Sequence, residues 1–211
     1  MAFRGWPSEA IEFYEGLEAD NSKSYWTAHK EVYEASVRAP MAELVAELEP
    51  EFGPGKIFRP YRDLRFSADK SPYKTSIAAT IGPGYVHLTA RGLGVARGRY
   101  EMDREQLQRY REAVADDRSG NELDRLVAAI RRGKIDVVGH DVLKTAPKGY
   151  PADHPRIEFL RYKGLIAWKE WPVAAWFGTS EPKRRITAFL RDTQPLSEWL
   201  DTYVGGSADS D

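Results

Sequence analysis

Apolar residues near the start of the chain recur every three to four positions, which is the spacing of one buried face of an α-helix. Ile11, Tyr14 and Leu17 form the first such stripe, and a second follows a polar, turn-forming run at 20–22. Pro40 suits the first turn of a helix, and a third stripe comes directly after it. We therefore predict three helices within the first 52 residues.

Between residues 57 and 100 the pattern changes to that of β-strands. Residues 57–59 predict a short strand, and residues 76–81 and 85–89 predict two more. The intervening residues 82–84, Gly-Pro-Gly, are typical of a hairpin turn. A further strand is predicted over 92–100, although its glycines weaken the pattern.

Helical spacing returns after residue 100. Asp103 and Gln106 have the spacing of a capping box, which predicts a helix that starts there. A second stripe begins at Leu123 and ends at Gly133, a residue that commonly stops helices. Because such stripes must face a core in a soluble domain, buried positions are predicted for five of their members. These are Leu44, Leu48, Val127, Ile130 and Phe189.

The last third of the chain mixes both patterns. Strands are predicted over 135–138 and 165–168, and helices over the final 30 residues before the tail. Asp153, two residues before Pro155, is interpreted as the N-cap of a further helix. Helices at both ends around a strand-rich middle predict an α+β fold, with a central, mostly antiparallel sheet flanked by the N-terminal and C-terminal helices.

Composition limits the class of protein further. Hydrophobic residues make up 42% of the 211 residues, enough for one domain, predicted to span 1–204 before a flexible acidic tail at 205–211. The absence of cysteine excludes disulfides and thiolate chemistry, and no metal site or cofactor is predicted. No run approaches the roughly 20 apolar residues of a membrane span, and no signal peptide is recognised, so a soluble, cytoplasmic protein with no membrane partner is expected.

The most unusual stretch is basic and aromatic and lies between residues 56 and 75. It holds six basic and two acidic residues, a local charge of +4 in a chain of net charge −1. Guanidinium groups bind carboxylates and phosphates through paired hydrogen bonds, so this stretch predicts an anion site. The predicted ligand-binding residues are Arg59, Arg62, Asp63, Arg65, Lys70, Tyr73 and Lys74. Alternatively, Asp63 and Asp69 each pair with a base and brace an ordered loop.

A second basic stretch lies between residues 143 and 165, with a local charge of +3. Prolines and a glycine at 147–151 shape a loop whose backbone N–H groups could face an anion. The predicted ligand-binding residues here are Lys144, Lys148, Asp153, His154, Arg161 and Lys163. His154 could also act as a general base, although a packed or solvated histidine explains it as well.

Both basic stretches resemble one known family. The runs 59–75, 146–155 and 160–165, together with Asp20-Asn21 before Tyr25-Trp26, are similar to the bacterial and fungal family called domain of unknown function 2461. The resemblance covers roughly residues 3 to 203, and the chain departs from it at 95–99, where a more glycine-rich stretch is expected. The resemblance implies one α+β domain and no established activity, and it supplies no catalytic residues.

Three functions remain open on the residues themselves. The first is the binding of a phosphate- or carboxylate-bearing small molecule in a basic cleft. The second is an enzyme acting on such a molecule, with Asp63, Asp69, Asp153 or His154 transferring a proton. The third is a structural or partner-binding protein whose arginines and aspartates only brace the fold. Nucleic-acid binding is disfavoured because the overall charge is near zero.

The surplus charge of each stretch leads to one further expectation. Two basic patches lying side by side repel each other unless an anion lies between them. We therefore expect the 62–74 loop and the 144–163 segment to form one anion site, to which Arg65 and Arg161 both contribute.

Overall fold

A computed structural model describes residues 2–63, 65 and 69–205 of the chain. The first helices are α1 (Ser8–Ala19), α2 (Lys23–Val32) and α3 (Ala39–Phe52), and the strands that follow are β1 (Gly55–Ile57), β2 (Ser76–Ile81), β3 (Gly84–Thr89) and β4 (Gly92–Arg99). Next come α4 (Arg104–Ala115), α5 (Asp117–Arg132), β5 (Asp136–His140), α6 (Ile157–Leu160), β6 (Gly164–Pro172), a 3₁₀ turn (Ala175–Gly178), α7 (Glu181–Asp192) and α8 (Gln194–Tyr203). The strands lie in the order β1-β2-β3-β4-β6-β5.

The α+β class and the antiparallel sheet predicted from the sequence are confirmed. β2 pairs antiparallel with β1 on one side and β3 on the other, and β5 pairs antiparallel with β6. The five predicted core residues are all buried, with exposed fractions of at most 4%. Periodicity identified these residues because the stripe of each helix has to leave water.

The backbone divides into two compact units. Unit 1 consists of residues 2–95 and 170–189, and unit 2 consists of residues 96–169 and 190–205. The single domain over 1–204 stays a prediction, and positions 206–211 of the predicted tail lie outside the described residues. No described helix has both the length and the apolar character needed to cross a membrane.

Several predicted boundaries differ from the observed ones. β1 ends at Ile57 rather than at Arg59, which precedes Pro60, a residue without an amide proton. β6 runs to Pro172, four residues beyond the predicted end at Trp168.

Asp153 is not a helix cap, so that interpretation was wrong. The short helix α6 begins at Ile157 with Arg156 before it, and no side chain caps it. Two successive turns hold the chain there, because the amide of His154 donates to the Pro151 carbonyl at 3.2 Å and that of Ile157 donates to the His154 carbonyl at 2.9 Å. By contrast, the capping box of α4 is confirmed by two reciprocal hydrogen bonds between Asp103 and Gln106.

The helical chain between α2 and α3 is not interrupted. Residues Tyr33–Arg38 continue it as a π-helix, a segment in which each amide pairs with a carbonyl five residues back. Pro40, two residues after the end of the π-helix, has no amide proton for an α-helical bond. The sequence predicted a helix start at Pro40 but not the π-helix, which occurs rarely and often at functional sites.

The β2–β3 hairpin depends on Gly82, and Gly82→Ala is expected to lower the free energy of unfolding by about 1–3 kcal/mol. The residue has φ of +51°, and a Cβ there would lie 1.8 Å from the carbonyl oxygen of Phe52. Chemical denaturation measures the loss. Gly178→Ala is the matched control, since its Cβ would meet nothing nearer than 3.7 Å. Equal stability of the two variants would contradict the prediction.

Candidate functional site

The two ends of the first basic stretch pair with each other in unit 1, and positions 64 and 66–68 lie outside the described residues. Tyr61 and Tyr73 pair as an antiparallel bridge, the Arg62 amide donates to the Pro72 carbonyl at 3.0 Å, and the Lys74 amide donates to the Pro60 carbonyl at 2.8 Å. These bonds hold the two ends of the loop side by side.

The two aspartates of this stretch form ion pairs with two of its arginines. Arg65 donates to both carboxylate oxygens of Asp63, at 2.7 Å to the nearer one, and Arg62 pairs with Asp69. The hydrogen bonds from Arg65 lower the pKa of Asp63, and those from Ser71, with a smaller contribution from Arg62, lower the pKa of Asp69. The prediction that each aspartate contacts a base is confirmed. These side chains are largely exposed, so the pairs stabilise the fold little.

Tyr73 belongs to an aromatic cluster rather than to the surface of the loop. Its backbone is held by Asn21, whose amide group donates to the Tyr73 carbonyl at 3.0 Å and accepts from its N–H at 3.1 Å. Its ring stacks on Trp26 with a centroid distance of 4.4 Å and an interplanar angle of 7°. Tyr73 is only 5% exposed.

A cleft of about 420 Å³ opens beside this cluster, and we call it the Arg59 cleft. Its lining comes from α2, the π-helix and the segment after β1. The lining residues are Trp26, Lys30, Tyr33, Glu34, Arg38, Ile57, Phe58, Arg59, Pro60 and Tyr61. Of the ligand-binding residues predicted in the first stretch, Arg59 lines it, whereas Arg62, Asp63, Arg65, Lys70, Tyr73 and Lys74 do not.

Tyr33 is the most unusual group in the Arg59 cleft. The residue lines the cleft although only 2% of it is exposed. Burial, followed by the nearby charge of Glu34, raises the pKa of Tyr33 to about 12. The hydroxyl therefore keeps its proton at neutral pH and can donate a hydrogen bond.

Two of the four charged groups of the Arg59 cleft form an ion pair with each other. Arg38 lies 3.6 Å from Glu34. Within the described chain, no carboxylate lies at ion-pair distance from Lys30 or Arg59, although the charge of Arg59 contributes to lowering the pKa of Asp63. Three bases and one acid line the cleft, an excess of two positive charges. The sequence pattern missed Lys30, Tyr33 and Arg38, because they come from a helix about 25 residues before the basic stretch.

The second basic stretch belongs to unit 2, where most of its charges already have partners. Nε of Arg161 donates to the Leu143 carbonyl at 2.5 Å, and the Lys163 ammonium lies 2.5 Å from Asp141. This lysine lowers the pKa of Asp141. Nδ1 of His154 accepts a hydrogen bond from the Arg156 amide at 3.0 Å, which occupies one of its ring nitrogens.

Lys148 lines a second cleft, of about 460 Å³, between α4 and the loop before α6. Its other lining residues are Arg104, Leu107, Gln108, Arg111, Glu112, Gly149 and Tyr150. Arg111 uses Nε to hydrogen-bond the Leu160 carbonyl at 3.3 Å. We call this the Lys148 cleft. Lys144 and Asp153 are exposed and do not line it.

The 62–74 loop and the 144–163 segment lie in different units. The single site that the sequence predicted for them, with Arg65 and Arg161 acting on one anion, stays a prediction. In the described part of the chain, no three histidine or acidic residues come together as a metal site would require.

Comparison with known proteins adds the family. A solved structure of a conserved hypothetical protein from Pyrococcus furiosus is 17% identical, with a TM-score of 0.37, over 78% of this chain and 96% of that one. No curated protein matches the chain. The family model described as "Conserved hypothetical protein (DUF2461)" matches residues 9–199, which include both clefts. The chain therefore belongs to the DUF2461 family, as the two basic stretches indicated.

Proposed function

We propose that the protein binds a small molecule bearing a phosphate or carboxylate, and that the Arg59 cleft is the site. The observation that carries the proposal is that Lys30, Arg59 and the Tyr33 side chain line one cleft with an excess of two positive charges. A ligand oxygen in this cleft can accept a hydrogen bond from the Tyr33 hydroxyl.

The surrounding charge favours an anion as that ligand. Lys30 and Arg59 line the same cleft without ion pairs in the described chain, and Arg59 can bind two oxygens of one phosphate or carboxylate. Glu34 is already close to Arg38, which offsets its repulsion of an incoming anion. A hydroxyl donor and two cations that line one cleft can together bind one anionic group.

Isothermal titration calorimetry with ribose 5-phosphate and with acetate tests the proposal. Arg59→Ala and Lys30→Ala are each expected to weaken the binding of the anion by about tenfold or more, because a hydrogen bond to a charged group contributes roughly 1.5–3 kcal/mol. Binding should also weaken as salt is raised, since the cleft is open to solvent.

Tyr33→Phe is the sharpest variant, because it removes only the hydroxyl. We expect it to lower the affinity for the anion severalfold. The melting temperature of the free protein should be unchanged or higher, since no hydrogen bond within the described chain is lost. Arg111→Ala, in the Lys148 cleft, is the control and should leave affinity unchanged. An affinity that depends on Arg111 and not on Arg59 or Tyr33 would show that the site is elsewhere.

A bracing role is proposed for the other bases of the two stretches. Arg62, Arg161 and Lys163 each have a partner within their own segment or its neighbour. Their alanine variants should alter stability rather than ligand affinity, and the same titrations distinguish the two effects.

A further inference from the structure

The aromatic side of the Arg59 cleft is a wall that is already held in place. Trp26 and Tyr73 stack almost parallel, and Asn21 bonds the Tyr73 backbone through both its N–H and its carbonyl. The Tyr33 ring also contacts Trp26, with a centroid distance of 4.7 Å and an interplanar angle of 48°. Rings held in this way need no reordering when a ligand arrives, so less affinity is lost on binding.

Tyr61 is the exposed member of the wall. Its ring lies 6.1 Å from Trp26 and 5.5 Å from Tyr73, tilted by 48° and 44°, and the residue is 50% exposed. The backbone bridge to Tyr73 fixes the position of its main chain. A tyrosine ring that is held at its base and open on one side offers a surface on which another flat ring can stack.

We propose that the ligand of the Arg59 cleft carries a planar aromatic ring next to its anionic group, and that this ring stacks on Tyr61. The inference rests on the proposed function and adds the class of ligand to it. Many aromatic rings can stack in this way because each has a π-face. Lys30, Arg59 and the Tyr33 hydroxyl bind the anionic group. The volume of about 420 Å³ is near the lower end of known ligand pockets, roughly 300–1,000 Å³, which suits a single ring system.

Two sources share this chemistry, namely a nucleotide and an aromatic carboxylate. Calorimetric titration therefore uses two matched pairs of probes, adenosine 5′-monophosphate against ribose 5-phosphate, and indole-3-acetate against acetate. In the wild-type protein, the aromatic member of at least one pair is expected to bind about tenfold more tightly than its non-aromatic partner. This ratio is within the range found for a base stacked on an aromatic side chain. The pair with the larger ratio identifies the source.

Variants of Tyr61 test whether the difference in affinity within a pair comes from stacking on the Tyr61 ring. Tyr61→Leu keeps an apolar side chain but loses the π-face. It should reduce the ratio of the two affinities to about one, while the non-aromatic probe keeps its affinity. Tyr61→Phe keeps the face and should retain the ratio. Tyr100→Leu changes a tyrosine of unit 2 that is similarly exposed, at 58%, and should have no effect.

The outcomes separate this inference from the proposed function. If ribose 5-phosphate or acetate binds through Arg59 and neither aromatic ring adds affinity, the aromatic ligand is excluded and anion binding stands. A ring gain that persists in Tyr61→Leu also overturns the inference. If no probe binds, or binding does not depend on Arg59 or Tyr33, the proposed function fails and this inference fails with it.

Discussion

Replacing Arg156 with alanine is expected to lower the free energy of unfolding by about 3–5 kcal/mol, one of the two largest effects expected for the chain. The residue is 6% exposed, and its guanidinium reaches the end of α4. Nε donates to the Val114 carbonyl at 2.6 Å, and Nη2 donates to the carbonyls of Ala115 and Asp116 at 3.2 Å each. The Val114 and Ala115 carbonyls lie in the last turn of α4, so a cation there also suits the negative end of that helix. The Asp116 carbonyl also accepts the amide of Gly120, at 2.9 Å.

The cost of Arg156→Ala comes from the acceptors that lose their donor. Each buried carbonyl left without a hydrogen bond costs about 1–3 kcal/mol. Arg156→Lys should recover only part of the loss, because one ammonium cannot reproduce the planar fork of donors.

Urea denaturation followed by circular dichroism measures the loss, and hydrogen exchange should place it in α4 and α5. Gly120→Ala tests the packing of the Arg156 guanidinium without removing the arginine. A Cβ at position 120 would lie 2.3 Å from Nε of Arg156 and would displace it. This substitution too should destabilise the protein. Arg125→Ala removes an exposed arginine and should change stability by less than about 0.5 kcal/mol. A loss for Arg156→Ala as small as that of Arg125→Ala would disprove the prediction.

Replacing Trp26 with alanine is expected to cost about 3–5 kcal/mol, as for other large buried side chains. Trp26 is 6% exposed and contacts the rings of Phe13, Tyr33 and Tyr73 at centroid distances of 5.8, 4.7 and 4.4 Å. Its removal leaves a cavity at the centre of the aromatic cluster, which the surrounding helices cannot close completely.

Far-UV circular dichroism is the suitable probe for Trp26→Ala, because the substitution changes the tryptophan fluorescence itself. Tyr61→Leu is the comparison, since it changes a half-exposed ring of the same cluster and should cost no more than about 1 kcal/mol. If Trp26→Ala is as stable as Tyr61→Leu, the cluster does not hold unit 1 together. The proposed ligand wall would then lack its rigid support.

Local patterns in the sequence determined much of the fold. The helical stripes identified Leu48 and Val127 as core residues, and both are buried. The capping box at Asp103 and the hairpin turn at Gly82 were also predicted correctly. These features depend on residues within a few positions of one another, so their physical causes can be read directly from the chain.

The role of each basic residue could not be predicted in the same way. Charge patterns identified both basic stretches and the contacts of Asp63 and Asp69 with arginine, but they did not distinguish Arg59, which lines a cleft, from Arg62, which is paired. Arg156 was counted as surplus charge, yet it is buried against α4. A charged side chain looks the same in sequence whether it meets solvent, a carboxylate or a helix end.

Only the tertiary structure brought the candidate site together. Local patterns predicted most of the helices and strands, five core residues and an unusual basic, aromatic stretch. The cleft exists because the helix carrying Trp26 and Lys30, and the π-helical turn that begins at Tyr33, pack beside Arg59 and Tyr61. Contacts between positions 25 to 35 residues apart depend on how helices and strands pack around a shared core, and no local pattern of residues encodes that arrangement.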